Sequence, residues 1–363
     1  MHELLKVTDV DKSFPGVHAL KKVSLTILKG EVMALVGENG AGKSTLMNIL
    51  SGIYQKDSGS ITFNGKEIHV SSPLDSHKLG ISIIHQELNL IPHFSVAENI
   101  FVGREKRKFF LFDKRTTIEE SKKLLKRVGL EVDPRSLVID LSIAQRQMVE
   151  VAKALAYNAK LIVMDEPTSS LSDREIERLL NIVRDLKREG VSVIFISHKL
   201  EEVLAIADRI TVLRDGEVVG VLDAAGCTED NLIQLMVGRE ITNIYPKVET
   251  PLGDVVFEIR NFSRGKVFRN VSFSLRRGEI LGIAGLVGAG RSEVLQAIFG
   301  IDPFDSGEVF LDGRKVIIRS PQDAIRLGMG FVPEDRKLKG LLLGMAVKEN
   351  ITLASLEEVS RHA

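Results

Sequence analysis

Short runs dominated by apolar residues recur along this 363-residue chain, and each ends at glycine or at polar residues. The runs are residues 31–36, 160–164 and 191–196, and their length is typical of buried strands in a parallel sheet. Residues 3–28 and 59–70 instead alternate apolar and polar positions, as antiparallel strands do. Residues 95–141 and about 146–157 favour helix. The pattern predicts an α/β fold with a mostly parallel core sheet, an antiparallel β-subdomain and a helical subdomain.

An internal repeat with a constant offset divides the chain. Matched segments lie 248 positions apart without a gap, and they begin at Val23, Gly30, Gly37, Asp57, Ser72 and Gly80. A later match between Glu98-Asn-Ile and Glu349-Asn-Ile requires a three-residue insertion. The predicted domains are a complete first module at residues 1–240, a linker at 241–253 and the N-terminal part of a second, degenerate module at 254–363. Because the second copy stops early, we expect a truncated chain.

A glycine-rich loop follows the first apolar run and precedes a helical segment that starts at Thr45. The pattern G-x-x-x-x-G-K-[ST] matches Gly37-Glu38-Asn39-Gly40-Ala41-Gly42-Lys43-Ser44. Between a strand and a helix, such glycines let backbone N–H groups point at a polyphosphate, and the helix N-terminus adds partial positive charge. Lys43 would reach the β- and γ-phosphates, and the Ser44 hydroxyl would bind Mg²⁺.

Two carboxylates end the second apolar run. At the C-terminal end of a parallel strand, Asp165 and Glu166 would face the glycine-rich loop across a crevice. We predict that Asp165 holds Mg²⁺ through water and that Glu166 is the general base for the attacking water. His198 follows the third apolar run, and this place beside the phosphate site favours a contact to the γ-phosphate. Gln86 follows another short strand, but a single glutamine carries almost no signal by itself.

Ser142 and Gln145 stand before the helical pattern at about residues 146–157, and they fit the S-x-x-Q capping box. One interpretation is a well-capped helix. The other is a helix N-terminus that is offered to phosphate. The spacing does not separate the two interpretations, and both can hold.

In combination, these elements resemble the nucleotide-binding subunits of ABC transporters. The matching features, in the family's order, are the aromatic Phe14, the glycine-rich loop, Gln86, the signature at 141–145, Asp165-Glu166 and His198. The chain holds two such modules, and the second is degenerate. In this it is similar to the ATPase subunits of bacterial monosaccharide importers of the ribose and galactose type. Three segments match that subgroup closely, namely residues 36–45, 84–88 and 147–154.

The resemblance implies ATP and Mg²⁺ as the bound groups, and it implies a role for each matching residue. By this resemblance, Phe14 would stack on adenine, and Gly37 to Thr45 would bind the triphosphate and Mg²⁺. Gln86 would sense the metal and the γ-phosphate, and His198 would orient Glu166. Ser142, Ala144 and Gln145 would close over the nucleotide that is bound to the opposing module. In this family, hydrolysis takes place in a head-to-tail sandwich of two modules.

The chain departs from the family pattern at the signature and in the second copy. Where the family has Leu-Ser-Gly-Gly-Gln, this chain has Leu141-Ser-Ile-Ala-Gln145, which brings a Cβ towards the phosphate. Arg291 stands at the lysine position of the second loop, and the carboxylate of Glu334 stands at its glutamine position. Arginine binds phosphate through a planar fork and not a compact ammonium. We hypothesise that the second site binds nucleotide at most, and that this chain alone binds Mg·ATP but hydrolyses it poorly.

Composition restricts the classes of function. Lys+Arg and Asp+Glu both number 49, so the zero net charge gives no sign of nucleic acid as a partner. The single cysteine, Cys227, excludes an intrachain disulfide and fits a reducing compartment. The start lacks the pattern of a signal peptide, and no apolar run is long enough to cross a bilayer, so we expect a soluble cytoplasmic chain.

The resemblance implies an ATPase subunit that lies at the inner face of the cell membrane and energises sugar import. Its implied partners are two permease subunits, an extracytoplasmic sugar-binding protein and a second nucleotide-binding module. Two alternatives stay open: a soluble tandem ABC ATPase of the translation-factor type, and an importer of nucleosides or another sugar-like molecule. The degraded second loop and the zero net charge favour an importer over a translation factor.

Overall fold

The structure is a computed structural model, and it describes residues 2–85, 89–105, 107–108, 111–169, 171–238, 250–286 and 288–356. Two compact units divide the chain, Met1–Ile244 and Tyr245–Ala363. The predicted boundary and most of the predicted linker fall at residues 239–249, outside the described residues. The predicted domain limits therefore stay a prediction.

Strands and helices alternate along most of the first unit. Its strands are β1 (Glu3–Phe14), β2 (Val17–Leu28), β3 (Val32–Val36), β4 (Ser58–Phe63), β5 (Lys66–Glu67), β6 (Ile81–Ile84), β7 (Arg107–Lys108), β8 (Leu111–Phe112), β9 (Leu161–Asp165), β10 (Ser192–Ile196), β11 (Arg209–Arg214) and β12 (Glu217–Asp223). Its helices are α1 (Lys43–Leu50), α2 (Pro73–Leu79), α3 (Val96–Phe101), α4 (Lys114–Arg127), a 3₁₀ turn (Val138–Asp140), α5 (Ile143–Ala156), α6 (Asp173–Arg188), α7 (Leu200–Ile206) and α8 (Glu229–Val237).

Six strands form the central sheet of the first unit, in the order β12-β11-β3-β10-β9-β6. The pairs between β11 and β6 are parallel, whereas β12 closes one edge antiparallel to β11. β3 and β10 are buried along their whole length, which explains why their sequences are continuous apolar runs. The predicted, mostly parallel core sheet is therefore confirmed.

The two faces of the central sheet bury different partners. One face, with Val193 and Phe195, shares a core with the apolar sides of α5 and α6. The other face, with Ile194 and Ile196, packs with α1 and with a second sheet in the order β2-β1-β4-β5. This second sheet is antiparallel, as the alternating pattern predicts. Alternate residues of one strand thus stabilise opposite layers.

The helical subdomain consists of α3, α4 and the start of α5. Ser142 caps α5 reciprocally with Gln145, which confirms the predicted capping box. The helix therefore begins at Ile143, a few residues earlier than the apolar pattern indicates. Among the described residues, no helix has the length and apolarity needed to span a membrane.

The second unit repeats the antiparallel sheet of the first. Its elements are β13 (Val255–Arg264), β14 (Phe268–Arg276), α9 (Arg291–Ile298), β15 (Ser306–Leu311), β16 (Arg314–Val316), α10 (Pro321–Arg326), a π turn (Arg336–Gly340), α11 (Val347–Thr352) and a 3₁₀ turn (Leu353–Ser355). The strands pair in the order β14-β13-β15-β16, and all three pairs are antiparallel. The buried strand residues of its core are Phe257, Ile259, Phe262, Phe268 and Val309.

The described strands of the second unit include no parallel pair. Ile280 is the repeat counterpart of Val32 in β3, yet it is 99% exposed whereas Val32 is 0% exposed. In the first unit, β3 lies between β10 and β11. Residues 280–284, the repeat counterpart of β3, thus form no strand in the described part of the second unit.

Candidate functional site

The glycine-rich loop connects the end of β3 at Val36 to the start of α1 at Lys43. Gly42 caps that helix with φ +104°, a conformation that favours glycine. A Cβ at Gly42 would lie 2.6 Å from the carbonyl oxygen of Ala19 and 2.8 Å from Cδ2 of Leu20. The backbone of the loop is therefore held against the β-subdomain at a distance that only glycine allows.

Substitution of Gly42 by alanine should destabilise the first unit more than the same change at Gly40. Both residues have positive φ, but a Cβ at Gly40 has nothing within 4 Å. We expect a loss of about 1 kcal/mol for Gly40→Ala from the backbone conformation alone. Gly42→Ala adds a backbone clash and should lose more than about 2 kcal/mol. Urea unfolding of the two variants checks this, and equal losses would contradict it.

Lys43 lies across its own loop. Its Nζ donates to the carbonyl oxygen of Gly37 at 2.6 Å and to that of Glu38 at 2.9 Å. Burial lowers the pKa of Lys43, and the carboxylates of Glu166 and Asp165 oppose this shift. The ammonium group is thus placed at the mouth of the loop, within the electrostatic reach of both carboxylates.

Asp165 and Glu166 follow directly at the end of β9, beside the glycine-rich loop. Burial raises the pKa of the Asp165 carboxyl, and the like charge of Glu166 raises it further. His85 and Lys43 act in the opposite direction. The site therefore combines the ammonium group of Lys43 with two carboxylates. The ammonium group can bind a polyphosphate, and a carboxylate can bind a metal ion.

Glu166 has an unusual backbone, with φ +48°. Among the described residues, most other non-glycine residues with positive φ are Asn or Asp, which tolerate this conformation better. Its N–H donates to the carbonyl oxygen of Ile196 at 2.9 Å, which continues the pairing of β9 with β10. Such a conformation costs on the order of 1–3 kcal/mol and persists only where surrounding structure holds it.

His198 lies next to Glu166. Its Nδ1 is 3.2 Å from Oε2 of Glu166, and its side chain is 62% exposed whereas that of Glu166 is 19% exposed. The imidazole therefore reaches from solvent to a largely buried carboxylate. This agrees with the orienting role that the resemblance implies for His198, although that role stays a prediction.

An open cavity of about 410 Å³ brings most of the predicted nucleotide-binding residues together. Its lining residues are Phe14, Val17, Ala19, Asn39, Gly40, Gly42, Lys43, Ser44, Thr45, Asp165 and Glu166. Phe14 is held edge-on by Tyr54, with ring centroids 5.1 Å apart. Sequence reasoning missed Val17 and Ala19, which carry no motif and reach the cavity only because β2 runs beside the loop.

The other predicted residues either do not line this cavity or fall outside the described residues. Gln86 lies outside the described residues, so its predicted role is neither supported nor contradicted. Ala41 is buried in the core of the first unit. Ser142, Ala144 and Gln145 line a different cavity, of about 550 Å³, between α5 and α6. The structure thus does not bring the signature to the loop of its own module.

The donor set beside the loop suits Mg²⁺. The Ser44 hydroxyl and the Asp165 carboxylate line the same cavity, and both supply the oxygen ligands that Mg²⁺ prefers. Within the part of the chain that the structure describes, no group of three or more His, Cys, Asp or Glu could hold a metal unaided. Mg²⁺ characteristically uses one or two protein ligands together with substrate phosphates and water.

A strand–glycine loop–helix element that faces two carboxylates at the end of another parallel strand of the same sheet defines a P-loop ATPase. The added β- and helical subdomains define the ATP-binding cassette type. The ABC transporter family model matches residues 20–169 and 268–363. A solved ATP-binding cassette from an ABC transporter, free of nucleotide, superposes with a TM-score of 0.59 and 27% identity, covering 68% of this chain and 100% of that one.

Two curated relatives extend the similarity across nearly the whole chain. A putative ribose/galactose/methyl galactoside import ATP-binding protein of Agrobacterium fabrum is 50% identical over 98% of this chain and 71% of its own length. A ribose import ATP-binding protein of Rubrobacter xylanophilus is 50% identical over 98% of this chain and 72% of its own length. The chain belongs to the ABC transporter family, among ATP-binding subunits that resemble the ribose and galactose type. The family resemblance seen in the sequence is confirmed.

Proposed function

We propose that this chain is the ATP-hydrolysing subunit that energises import of a monosaccharide of the ribose or galactose type. The observation that carries the proposal is the cavity in which Lys43, Asp165 and Glu166 meet the glycine-rich loop. The names of the two curated relatives support the sugar class. The transported molecule does not touch this cavity, so the choice between ribose, galactose and a nucleoside rests on the relatives alone.

ATP would bind with its adenine on Phe14 and its phosphates over the loop. Backbone N–H groups, the N-terminus of α1 and Lys43 would neutralise the triphosphate. Mg²⁺ would be held by Ser44 and Asp165, and it would supply charge stabilisation at the phosphate oxygens. We keep Gln86 as a proposed third metal contact from the sequence.

Hydrolysis would use Glu166 as the base. Its carboxylate would accept a proton from the water that attacks the γ-phosphate, and His198 would hold the carboxylate in position at the observed 3.2 Å. Lys43 would stabilise the charge that develops on the phosphate oxygens. The proposed role of Ser142, Ala144 and Gln145 is to close over nucleotide on a second nucleotide-binding module.

The proposed partners are two integral membrane permease subunits and an extracytoplasmic sugar-binding protein. The proposed location is peripheral, at the cytoplasmic face of the cell membrane. Closure of two nucleotide-binding modules on ATP would shift the permease between conformations, because ATP binds the closed state more tightly than the open one. Hydrolysis would then remove this preference for the closed state.

Affinity purification of the full-length protein from detergent-solubilised membranes of its native cells tests this assignment. We expect mass spectrometry to find a polytopic permease and a sugar-binding protein. We also expect ATP hydrolysis by the purified complex to rise with ribose, galactose or methyl galactoside and not with nucleosides. Recovery of ribosomes without a permease would overturn the transport function and leave the ATPase assignment, while stimulation by nucleosides alone would change the substrate class.

Mg·ATP affinity should fall as pH falls through the raised pKa of Asp165. A raised pKa means that protons compete with the metal at higher pH than they would at an ordinary aspartate. Glu166→Gln removes the like charge that contributes to this shift, so its affinity should persist to lower pH. Calorimetric titration of Mg·ATP at a series of falling pH values compares the two midpoints.

Glu201→Gln serves as the control for this titration, because Glu201 is an exposed carboxylate on α7. ATP itself titrates identically in all three experiments, so the difference between variants reports the protein groups. Identical midpoints for Glu166→Gln and the unmodified protein would show that Asp165 and Glu166 do not interact as described.

A further inference from the structure

Glu202 is a buried carboxylate that the nucleotide site does not use. It stands in the first turn of α7 and is 6% exposed. A buried carboxylate needs hydrogen bonds or an opposite charge to offset the loss of water. The identity of its partners therefore indicates what the group is for.

The partners of Glu202 come from two loops. Its Oε2 accepts a hydrogen bond from Oγ1 of Thr168 at 2.6 Å and from Oγ of Ser197 at 3.1 Å. Its Oε1 lies 3.2 Å from Nζ of Lys199. Thr168 is 2% exposed and Ser197 is 4% exposed, so both hydroxyl contacts are shielded from water. Hydrogen bonds to a charged acceptor in such surroundings are strong and directional.

Both loops carry a residue of the proposed reaction. Thr168 comes two residues after Glu166, and Ser197 comes directly before His198. Within the pair itself, Nδ1 of His198 is 3.2 Å from Oε2 of Glu166. One buried carboxylate thus fixes the segment that follows the base and the segment that carries its imidazole partner.

Two further contacts show how the Glu202 network extends along both loops. The N–H of Lys199 donates to Oγ of Ser197 at 3.1 Å, so this hydroxyl both donates and accepts. The N–H of Ser169 donates to the carbonyl oxygen of Glu166 at 3.3 Å. Hydrogen bonds therefore hold the loop after β9 at Thr168 and at Ser169, and within this loop Glu166 keeps its left-handed backbone.

We propose that Glu202 is a positioning residue for ATP hydrolysis, which holds Glu166 and His198 at reacting distance through Thr168 and Ser197. The inference rests on the proposed function, because it needs Glu166 to act as the base. Glu202 lines neither the cavity of about 410 Å³ beside the glycine-rich loop nor the cavity of about 550 Å³ between α5 and α6. Nucleotide affinity should therefore not depend on it. A residue of this kind changes kcat and leaves binding nearly unchanged.

Glu202→Ala tests the proposal, with Glu201→Ala as the matched control on the same turn of α7. We expect Glu202→Ala to lower kcat about 10- to 100-fold, because small displacements of reacting groups have effects of this size. The Kd for ATP should change by less than about threefold. Glu201 is exposed, and Glu201→Ala should match the unmodified protein in both constants.

A second pair of variants separates positioning from folding. Thr168→Val removes the hydroxyl but keeps the shape, and Thr168→Ser keeps the hydroxyl. We expect Thr168→Val to lower kcat and Thr168→Ser to restore most of it, at a temperature where circular dichroism shows both to be folded. This pair decides the question even where Glu202→Ala fails to fold.

The His198→Ala background shows whether Glu202 acts through the imidazole. There, Glu202→Ala should lower kcat by a smaller factor than it does with His198 present, because the route through Ser197 then has no imidazole to position. Unchanged kcat in Glu202→Ala or Thr168→Val, or a full additive loss in the His198→Ala background, would overturn the proposal. If the unmodified protein neither bound nor hydrolysed ATP, the proposed function would fall, and this inference with it.

Discussion

Replacement of Glu166 by glutamine should lower the rate of ATP hydrolysis about 10²- to 10³-fold and leave Mg·ATP binding intact. General bases contribute factors of this order, and glutamine cannot accept the proton of the attacking water. The change is nearly isosteric, so the neighbouring imidazole, 3.2 Å away, keeps a polar partner. Removal of a negative charge beside the phosphates should hold ATP affinity within about threefold of the original or tighten it.

Single-turnover hydrolysis of radiolabelled ATP measures the rate, and equilibrium binding of a fluorescent ATP analogue measures the affinity. Glu201→Gln provides a neutralised carboxylate outside the cavity and should behave as the unmodified protein does. A Glu166→Gln variant with undiminished hydrolysis would refute the role of base for Glu166. A variant that lost binding and hydrolysis together would instead assign Glu166 to nucleotide binding.

Replacement of Lys43 by alanine should weaken ATP binding about 10- to 100-fold, since a hydrogen bond to a charged group is worth roughly 1.5–3 kcal/mol. Lys43 also donates to two carbonyl oxygens of its own loop, so the loop loses an internal support as well. Lys56→Ala is the matched control, because Lys56 donates to the carbonyl oxygen of Gly59 at 2.6 Å outside the cavity. Titration with ATP compares the two variants.

Arg291→Ala extends this comparison to the second loop. If the second site is catalytically inactive, Lys43→Ala in the full-length protein removes most ATPase activity, whereas Arg291→Ala leaves most of it. Arg291 folds over its own loop, since a Cβ at Gly285 would lie 3.4 Å from Cδ of Arg291. Retention of most activity in full-length Lys43→Ala would contradict the hypothesis of an inactive second site.

The nucleotide site of the first unit was largely predictable from the sequence because local motifs define it. The glycine pattern, the lysine at its end and the two carboxylates after an apolar run each lie within a few consecutive residues. A parallel sheet then brings the carboxyl ends of β3 and β9 to the same edge. The cavity that results contains Lys43, Asp165 and Glu166, as the motifs predict.

What the sequence did not predict depends on contacts between distant segments. The hydrogen bond between Thr168 and Glu202 joins residues 34 positions apart, and no motif marks either partner. The sequence does not predict the left-handed backbone of Glu166 either, because glutamate is not a residue that favours positive φ.

The backbone conformation of Glu166 sets folding stability against the proposed reaction at a single position. At φ +48°, glycine or asparagine would fit with less strain than glutamate does. Either replacement should therefore stabilise the first unit, whereas the proposed role in ATP hydrolysis requires the carboxylate. The strained backbone at position 166 thus carries a cost in folding stability for which the proposed role of base accounts.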